Sequence, residues 1–326
     1  MKRVRIIGTG SYAPEKVLTN FDLEKFVDTT DEWISSRTGI RERHMAAEGE
    51  YPSDLAAKAA ERALAMAGLN ADQIDLIIVA TITGDYPWPA TACIVQEKLK
   101  ATKAFAFDVS AACTGFVYAL ASASAFITAG TAKRALVIGA EVFTRAVDWS
   151  DRNTCVLFGD GAGAVVIEAQ EGEHGILSSH LHSDGSYAEL LYQPGFGSVH
   201  QASEEGLKEH LPFLKMQGAE VFKVAVKSLA DVAIEALEAN QLSVADVNLF
   251  IPHQANKRIL DACAKRIGFN EDQVFCNVER YGNTSSASIP LALDEANRAG
   301  RIKPNDYVLL DAFGGGFTWG SILLRW

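Results

Sequence analysis

The sequence contains 326 residues, of which 48% are hydrophobic and 26 are glycines, enough for one large domain or two of ordinary size around a substantial core. A formal net charge of −11 argues against a general binder of nucleic acid or of anionic membranes, because such proteins are usually basic. We also expect no membrane anchor, since no apolar signal segment follows the first basic residues and no apolar run approaches 18 residues.

The five cysteines of the chain are Cys93, Cys113, Cys155, Cys263 and Cys276. Their number is odd and no two are spaced as C-x-x-C, so the sequence predicts neither a disulfide framework nor a zinc site. We therefore expect no bound metal and a location in the reducing cytoplasm. Apart from Cys113, the cysteines fall within helix or strand patterns, which predicts that they pack in the core.

Short apolar runs alternate with amphipathic or small-residue helices along the chain, which is typical of an α/β protein. Strands are predicted at Val4–Ile7, Leu76–Thr81, Ala104–Val109, Ala135–Ile138, Val165–Glu168, Val247–Ile251, Val274–Val278, Val308–Asp311 and Ser321–Arg325. Helices are predicted at Ser53–Ala67, Thr91–Leu99, Gly115–Ala129, Glu220–Asn240, Lys257–Ile267 and Ala287–Ala299.

Two stretches of the chain repeat the same order of elements. Residues 54–83 and 226–256 each read as a long helix, a polar turn, a short acidic connector and an apolar strand. Each is followed by a helix, a strand and a small-residue loop that opens another helix, D-V-S-A-A-C-T-G-F in one half and E-R-Y-G-N-T-S-S-A-S in the other. Any α/β protein can resemble itself by chance, but four elements in matching order predict two related halves, residues 1–170 and 171–326. A pseudo-twofold axis would relate them.

The stretch Tyr192–Gly218 interrupts this pattern, because it is rich in glycine, charge and histidine. It predicts a surface insertion or flap in the second half.

Cys113 follows a predicted strand and a turn of small residues, at the place where a helix begins. A thiol there faces the positive end of the helix dipole and free backbone N–H groups, and both favour the nucleophilic thiolate. A small buried cysteine that only packs at a tight turn fits the same local pattern equally well.

Two polar residues of the second half are candidates for the same site. His253, in I-P-H-Q-A-N, directly follows a strand, where the ligand-facing groups of α/β sheets cluster; a hydrogen-bonded structural histidine is the alternative. Asn283 lies in the loop that repeats the Cys113 loop, so a pseudo-twofold axis would bring the two loops face to face. A turn asparagine beside Gly282 is the alternative there.

Three consecutive glycines, Gly314, Gly315 and Gly316, lie in the segment A-F-G-G-G-F-T-W-G, just after the strand predicted at Val308–Asp311. They leave backbone N–H groups uncovered and allow a ligand to approach closely, which suits an oxyanion hole. A flexible tight turn between two strands explains the same residues without any function.

Five segments in order resemble the motifs of one family: D-T-T-D-E-W-I-x-x-R-T-G-I-R-E-R-H, A-A-C-T-G-F, F-G-D-G-A-G-A, P-H-Q-A-N and A-F-G-G-G-F-T-W-G-S. Over nearly the whole chain the sequence resembles the thiolase superfamily, and within it the type III ketoacyl-acyl-carrier-protein synthases of bacterial-type fatty acid synthesis. The resemblance implies a thiolase-like fold of two halves in a layered α-β-α-β-α architecture. It also implies a homodimer and a site in which Cys113 is the nucleophile and His253 and Asn283 complete the catalytic set.

The residues present distinguish the subclass. Elongating synthases of this superfamily pair their cysteine with two histidines, and the second of these positions is similar to Asn283 here. Degradative thiolases carry a second cysteine near the C-terminus, whereas residues 300–326 contain none. Chalcone-type synthases share the three residue types but are longer and lack P-H-Q-A-N.

The resemblance implies the initiating condensation of type II fatty acid synthesis. In that reaction a short acyl group passes from acyl-coenzyme A to the cysteine and condenses with malonyl-acyl-carrier protein, with loss of CO₂, to give 3-oxoacyl-acyl-carrier protein. No cofactor is needed beyond the coenzyme A thioester, which is a substrate. A secondary-metabolism relative that condenses or transfers unusual acyl groups with the same residues is the alternative.

The resemblance also places the ligands. Backbone N–H groups of Cys113 and Gly316 would form the oxyanion hole, and Trp33 and Arg152 would sandwich the adenine of coenzyme A. Further residues would line the route of its phosphates and pantetheine: Thr29, Arg37, Phe222, Ala255, Asn256 and Arg258. One departure is Ala219, where the family often has asparagine for a pantetheine contact.

Two further expectations concern partners. Carrier proteins are acidic, and two helices carry cations that could form a docking patch beside the tunnel mouth, namely Lys223, Lys227, Lys257, Arg258, Lys265 and Arg266. Ordinary solvated helix faces would look the same.

Trp88 lies between Pro87 and Pro89, on the loop that the resemblance implies closes the acyl pocket of the partner. Its large indole predicts a short pocket. The alternative is that Trp88 only packs in a dimer interface.

Overall fold

The computed structural model describes residues 2–195 and 197–326. Its strands are β1 (Lys2–Tyr12), β2 (Lys16–Thr19), β3 (Glu42–Met45), β4 (Leu76–Ala80), β5 (Phe105–Val109), β6 (Arg134–Val142), β7 (Asp160–Glu171), β8 (Gly175–Ser183), β9 (Leu191–Tyr192), β10 (Lys215–Met216), β11 (Leu249–Pro252), β12 (Tyr307–Gly314) and β13 (Thr318–Arg325). Its helices are α1 (Asn20–Leu23), α2 (Asp31–Thr38), α3 (Pro52–Ala67), α4 (Thr91–Leu99), α5 (Gly115–Thr128), α6 (Glu204–Lys208), α7 (Gly218–Ala239), α8 (Lys257–Ile267), α9 (Val278–Tyr281) and α10 (Ser288–Arg298).

Two large sheets repeat one strand order. The first sheet runs β1-β7-β6-β4-β5, and the second runs β8-β13-β12-β11. In the first sheet β4 is parallel to β6, and in the second sheet β11 is parallel to β12. The pairs β6–β7 and β7–β1 of the first sheet, and β12–β13 and β13–β8 of the second, are antiparallel. The second sheet therefore repeats the first without a counterpart of β5. The division of the chain near residue 170 falls between the last strand of one set and the first of the other, and it stays a prediction.

The strand predicted at Val274–Val278, which would have been that counterpart, is wrong. Val274 forms a single bridge to Phe250, and a helix already begins at Val278. The side chain of Gln254 explains why the ladder stops. Its Nε2 donates to the Phe275 carbonyl (3.2 Å) and its Oε1 accepts from the Asn277 amide (2.9 Å), so these backbone groups are not left for a neighbouring strand.

The predicted five layers are confirmed, and the packing explains them. Helices α5 and α10 lie between the two sheets and pack on the inner face of each, whereas α3 with α4 covers one outer face and α7 with α8 covers the other. In β4, alternate residues serve the two layers: Leu76 and Ile78 face the central helices, and Ile77 and Val79 face α3 and α4. A strand buried on both faces must be apolar throughout, and each such side chain contributes about 1.5–3 kcal/mol of burial free energy.

Helices α4 and α8 have the predicted ends, and the other predicted elements are confirmed with shifted ends. Strand β8 and the shorter elements were not predicted. That the stretch Tyr192–Gly218 is an insertion stays a prediction. This stretch contains α6, and its two ends pair as strands β9 and β10, Leu191 with Met216 and Tyr192 with Lys215. A separate cap is formed by α1, α2 and the antiparallel strands β2 and β3 that flank them, which pack on residues 143–158.

The prediction that four cysteines lie in the core is right for Cys155 and Cys263 and wrong for Cys93 and Cys276, which are exposed. Cys93 lies on the solvent-facing side of α4, and Cys276 lies in the loop where the expected strand does not form. In the described residues no helix is both long enough and apolar enough to cross a membrane.

Candidate active site

The candidate site lies between two loops of the same conformation. Residues Ala112–Thr114 and Ser285–Ala287 each form a single 3₁₀ turn that leads into a central helix, α5 or α10. Each turn begins with a residue in the left-handed region, at φ +46° in one loop and φ +49° in the other. The loops are in contact, and Gly139 of β6 allows the second one to come close, because a Cβ at this glycine would lie 2.2 Å from the Ser286 carbonyl oxygen.

The three residues predicted to be catalytic meet in one cavity. Cys113, His253 and Asn283 all line a cavity of about 190 Å³. Most of the remaining lining is apolar and comes from the first half, the flap and α7: Ile82, Thr83, Phe143, Ala146, Leu157, Phe158, Leu191, Tyr192, Gln193, Leu214, Met216, Gly218, Val221, Phe222, Ala225 and Leu229, with Ala255, Asn256, Ile259 and Phe313. The flap therefore forms part of the cavity wall and is not only a surface insertion.

Cys113 is 8% exposed and lies at the first turn leading into α5. Burial raises the pKa of the Cys113 thiol to about 12, and the nearby Glu141 carboxylate acts in the same direction. Burial therefore opposes the effect of the helix end on the thiol, and the thiolate state of Cys113 stays a prediction.

His253 is held at the end of β11 by buried partners. Its backbone N–H donates to the Asp311 carbonyl (2.7 Å), and its Nδ1 lies 2.7 Å from the Ser288 hydroxyl oxygen. That hydroxyl accepts from the Gln254 amide (3.4 Å), so its own hydrogen is free to be donated to Nδ1. Burial lowers the pKa of His253 to about 3, which keeps the ring neutral. This tautomer leaves an N–H at Nε2 as a hydrogen-bond donor.

Asn283 is fixed by its backbone and by its side-chain oxygen. Its amide donates to the Leu157 carbonyl (2.8 Å), its own carbonyl accepts from Gly159 (3.0 Å), and its Oδ1 accepts from the Ser285 amide (2.8 Å). With the side-chain oxygen occupied, the NH₂ group of Asn283 is the part that remains for a ligand in the cavity. His253 and Asn283 therefore both offer neutral donors.

Of the three glycines, Gly314 comes closest to the nucleophile. A Cβ at Gly314 would lie 2.7 Å from the Cys113 backbone nitrogen, so only glycine lets β12 approach there. Gly316 is exposed, and the atoms nearest to a Cβ at Gly316 belong to Thr318. The part of Gly316 in an oxyanion hole stays a prediction.

The residues predicted to bind coenzyme A fall into two groups. Phe222, Ala255 and Asn256 line the cavity, and Asn256 also caps α8 by accepting from the Ile259 amide (3.0 Å). Arg258 follows on the same helix and is exposed.

The second group lies on the cap formed by the N-terminal helices. The guanidinium carbons of Arg37 and Arg152 lie 4.6 and 5.2 Å from the centre of the Trp33 ring, and Arg152 donates to the Asp28 carbonyl (2.9 Å). A flat base between Trp33 and Arg152 needs a wider separation, so Arg152 would have to move for the predicted sandwich to form. The Thr29 hydroxyl is enclosed and has no partner in the described residues.

The predicted docking patch is largely neutralised by its own helices. Four of its six cations pair with acids of α7 and α8: Lys223 with Glu220 (2.8 Å), Lys227 with Asp231 (2.6 Å), Lys257 with Asp261 (2.5 Å) and Arg266 with Asp231 (3.6 Å). Within the described part of the chain, Arg258 and Lys265 make no ion pair. These two are the cations of the patch that are left for a partner.

Trp88 does not reach the cavity of its own chain. It is 83% exposed on the loop between β4 and α4, and Tyr86 beside it is 63% exposed. The base of the same loop, Ile82 and Thr83, does line the cavity.

Two residues near the nucleophile were not predicted. Glu141, the last-but-one residue of β6, is fully buried, and its Oε1 lies 3.1 Å from the hydroxyl of Ser285, which is on the loop that contacts the Cys113 turn. A single acid at the end of the apolar run A-L-V-I-G-A-E was a signal that could have identified Glu141. Among the described residues, no cluster of histidine, cysteine, aspartate or glutamate could hold a metal ion.

Comparison with known proteins identifies the family. Residues 107–185 match the model of 3-oxoacyl-[acyl-carrier-protein] synthase III, and residues 237–326 match the model of its C-terminal part. The chain is 57% identical over 327 residues to a β-ketoacyl-[acyl-carrier-protein] synthase III of Xanthomonas campestris pv. campestris, covering 99% of this chain and 98% of that one.

Solved structures agree with this assignment. The crystal structure of 3-oxoacyl-[acyl-carrier-protein] synthase III from Aquifex aeolicus superposes with a TM-score of 0.92 at 51% identity, covering 99% of this chain and 100% of the other. The priming β-ketosynthase of a polyketide biosynthetic pathway superposes with a TM-score of 0.91 at 35% identity, covering 99% and 96%. By sequence and by its thiolase-like fold, the chain belongs to the 3-oxoacyl-[acyl-carrier-protein] synthase III family of condensing acyltransferases.

Proposed function

We propose that this acyltransferase, which catalyses the initiating condensation of fatty acid synthesis, uses Cys113 as its nucleophile and His253 and Asn283 as its decarboxylation site. The observation that supports these roles is the meeting of the three side chains in one largely apolar cavity. The acyl donor is a coenzyme A thioester and the acceptor is malonyl-acyl-carrier protein.

In the first half-reaction the Cys113 sulfur attacks the acyl thioester and coenzyme A leaves, so that an acyl-enzyme remains. The Cys113 backbone N–H, at the end of the turn before α5, is one donor to the tetrahedral oxyanion, and we assign the second to the glycines that follow β12, with Gly316 as the predicted residue. The close approach of Gly314 to the Cys113 nitrogen brings this glycine segment to the nucleophile.

In the second half-reaction malonyl-acyl-carrier protein loses CO₂ and negative charge develops on its thioester oxygen. The Nε2–H of His253 and the NH₂ of Asn283 donate to that oxygen. Asparagine has no titratable proton and His253 is kept neutral by burial, so both stabilise the enolate by hydrogen bonding alone. The carbanion then attacks the acyl group on Cys113.

Product analysis tests the function as a whole. The protein is incubated with acetyl-coenzyme A and malonyl-acyl-carrier protein, and the carrier-bound product is identified by mass spectrometry. We expect a 3-oxoacyl-acyl-carrier protein whose acyl chain is two carbons longer than the primer. Transfer of the acyl group to any other acceptor, without CO₂ release, would instead favour the alternative of a secondary-metabolism acyltransferase.

Carrier-protein docking is assigned to Arg258 and Lys265, the two patch cations that are not paired with neighbouring acids. Arg258→Glu should raise the Michaelis constant for malonyl-acyl-carrier protein roughly three- to tenfold at low salt and make this constant less sensitive to salt, because one attractive charge becomes repulsive. The constant for the acyl-coenzyme A is measured in parallel. Lys303→Glu, far along the chain from the patch, is the control with the same change in net charge, and equal Michaelis constants for the two variants would remove Arg258 from the docking surface.

Primer length is assigned to Trp88 of a second copy of the chain, in a homodimer. The exposure of Trp88 and its absence from its own cavity support this arrangement. We expect the wild-type protein to prefer acetyl- or propionyl-coenzyme A, and Trp88→Ala to shift the preference toward hexanoyl- and decanoyl-coenzyme A about tenfold or more. Tyr86→Ala on the same loop is the control.

Sedimentation separates the two roles of Trp88. If Trp88→Ala keeps the mass of a dimer but leaves the primer preference unchanged, Trp88 only packs in the interface. A wild-type protein that already prefers decanoyl-coenzyme A would also contradict the proposal that Trp88 closes the end of the acyl pocket.

We further propose a cytoplasmic location, which the five free thiols support because a reducing compartment keeps cysteines unpaired.

A further inference from the structure

Glu141 is a fully buried carboxyl group whose two oxygens have different surroundings. Its Oε2 accepts from the Thr81 hydroxyl (3.1 Å), the Ile82 amide (3.2 Å), and the amide (3.1 Å) and hydroxyl (2.6 Å) of Thr83. Both hydroxyls also accept from a backbone amide, Thr81 from Thr83 (3.2 Å) and Thr83 from Val142 (2.9 Å), so their own hydrogens are free for Glu141. Oε2 is therefore surrounded by donors and acts only as an acceptor.

The other oxygen, Oε1, faces two serine hydroxyls of the loop that carries Asn283. The Ser286 hydroxyl lies 3.0 Å from Oε1 and 2.7 Å from the Ala80 carbonyl oxygen, which has no hydrogen to donate. Because a hydroxyl has one hydrogen, and two oxygens 2.7 Å apart without a hydrogen between them repel each other, Ser286 donates to Ala80. Ser286 therefore turns a lone pair toward Oε1, and this contact is a hydrogen bond only if Oε1 carries a proton.

Ser285 completes the surroundings of Oε1, because its hydroxyl donates to this oxygen (3.1 Å). A carboxylic acid oxygen that carries a proton can still accept one hydrogen bond while it donates another. The hydrogen bonds then run in one direction, from Ser285 to Glu141, from Glu141 to Ser286 and from Ser286 to the Ala80 carbonyl. Every hydrogen in this chain has an acceptor.

No cation pairs with Glu141 within the described residues. Arg145, the next cation along the chain, donates to two backbone carbonyls instead. The titratable groups on the neighbouring elements are Asp85, Asp160 and Cys113, and an ionised Glu141 would repel their charged forms, as the raised pKa of Cys113 shows. Burial without a cation also raises the pKa of the Glu141 carboxyl. The surroundings of Glu141 therefore favour its neutral form.

Ser285 holds Asn283 and Glu141 at the same time. Its backbone amide donates to Asn283 Oδ1 (2.8 Å), and its hydroxyl donates to Glu141. Through Oε2, Glu141 also holds Ile82 and Thr83, which line the cavity. One side chain thus fixes both the loop that presents the NH₂ group of Asn283 and a part of the cavity wall. A negative charge at this place would oppose the charge that develops on the enolate, because charges interact strongly in a buried site.

We propose that Glu141 is the positioning residue of Asn283 and that it acts as a neutral carboxylic acid with its proton on Oε1. It connects the Ser285–Ser286 turn to the end of β4 and to the loop that follows, so that the NH₂ group of Asn283 stays directed into the cavity. Its proton leaves no negative charge behind the enolate. This inference rests on the proposed function of Asn283 in decarboxylation.

Glu141→Gln tests the proton through activity, measured as CO₂ release from malonyl-acyl-carrier protein in a Cys113→Ala background. The new NH₂ group can donate to Ser286 and to the rotated hydroxyl of Ser285, and the new carbonyl can accept where Oε2 does. We expect the rate to stay within about threefold of the parent, at a ratio that is constant from pH 6 to 9. Glu141→Ala removes every one of these contacts and should lower the rate about 30- to 100-fold.

Infrared spectroscopy tests the proton directly and does not depend on activity. The difference spectrum between the wild-type protein and Glu141→Gln should contain the carbonyl band of a protonated carboxylic acid. This band should be present at every pH from 6 to 9 and should move to lower frequency in deuterium oxide.

Asp160 is the matched control, because it is a buried acid that the same reasoning assigns to the ionised form. Its Oδ2 accepts from the Ala46 amide (2.8 Å) and its Oδ1 from the Thr144 amide (2.8 Å), so an asparagine NH₂ group would face an amide in either orientation. Asp160→Asn should lower the Tm by about 5 °C, whereas Glu141→Gln should lower it by less than about 2 °C.

The outcomes are separable. A spectrum without the carboxylic acid band would overturn the inference, and so would a Glu141→Gln protein as slow as Glu141→Ala or a rate ratio that changes with pH. Absence of CO₂ release by the Cys113→Ala parent would contradict the proposed function instead, and the infrared band would still decide whether Glu141 is neutral. If Glu141→Ala does not fold, Glu141→Met, which keeps most of the side-chain volume, supplies the comparison.

Discussion

Cys113→Ser should abolish acyl transfer from coenzyme A, with a fall in rate on the order of 10⁴-fold. A serine hydroxyl in the same place is a poor nucleophile without a strong base, and His253 in the same cavity is a weak base because burial lowers its pKa to about 3. The measurement is covalent labelling by radioactive acyl-coenzyme A after a single turnover, with circular dichroism to confirm folding.

Cys93→Ser is the matched control, because this cysteine is exposed on α4 and does not line the cavity. It should label and condense as the wild type does. Cys113→Ala should still release CO₂ slowly from malonyl-acyl-carrier protein, since His253 and Asn283 remain. Full condensing activity in Cys113→Ser would mean that another residue is the nucleophile.

His253→Ala and Asn283→Ala should each reduce decarboxylation of malonyl-acyl-carrier protein about 100- to 1,000-fold, while acylation of Cys113 falls less than tenfold. Each removes one donor to the enolate oxygen, and an oxyanion donor in an enclosed site contributes on that scale. The two half-reactions are measured separately, as CO₂ release in a Cys113→Ala background and as labelling of Cys113. His174→Ala, at a half-buried position that does not line the cavity, is the control for the loss of a histidine.

The pH dependence adds a second check on His253. The donor is the neutral ring, which is present above its pKa of about 3 and is lost only below it. Decarboxylation by Cys113→Ala should therefore show no step attributable to His253 between pH 5 and 8. If acylation instead collapsed in His253→Ala while decarboxylation survived, the enolate assignment would be wrong and His253 would be acting on the thiol.

Local patterns in the sequence determined the elements and the identity of the three central residues. Alternating apolar runs and helical periodicity depend on neighbours along the chain, so strands such as β4 and helices such as α4 and α8 could be predicted closely. Family motifs then singled out Cys113, His253 and Asn283, and the structure brings these three side chains into one cavity.

Other features depended on residues far apart in sequence, and only the tertiary structure decided them. The Gln254 side chain stops the expected strand at Val274–Val278 by occupying its backbone groups, and acids elsewhere on α7 and α8 neutralise most of the predicted docking patch. The state of the nucleophile is the clearest case. A helix terminus can be recognised in sequence and favours a thiolate, but the burial that raises the pKa of Cys113 comes from several elements packed around it, and the Glu141 carboxylate that acts in the same direction lies on β6. Hydration and charge around a side chain are set by its neighbours in space, and those neighbours are fixed only when the two halves of the chain pack together.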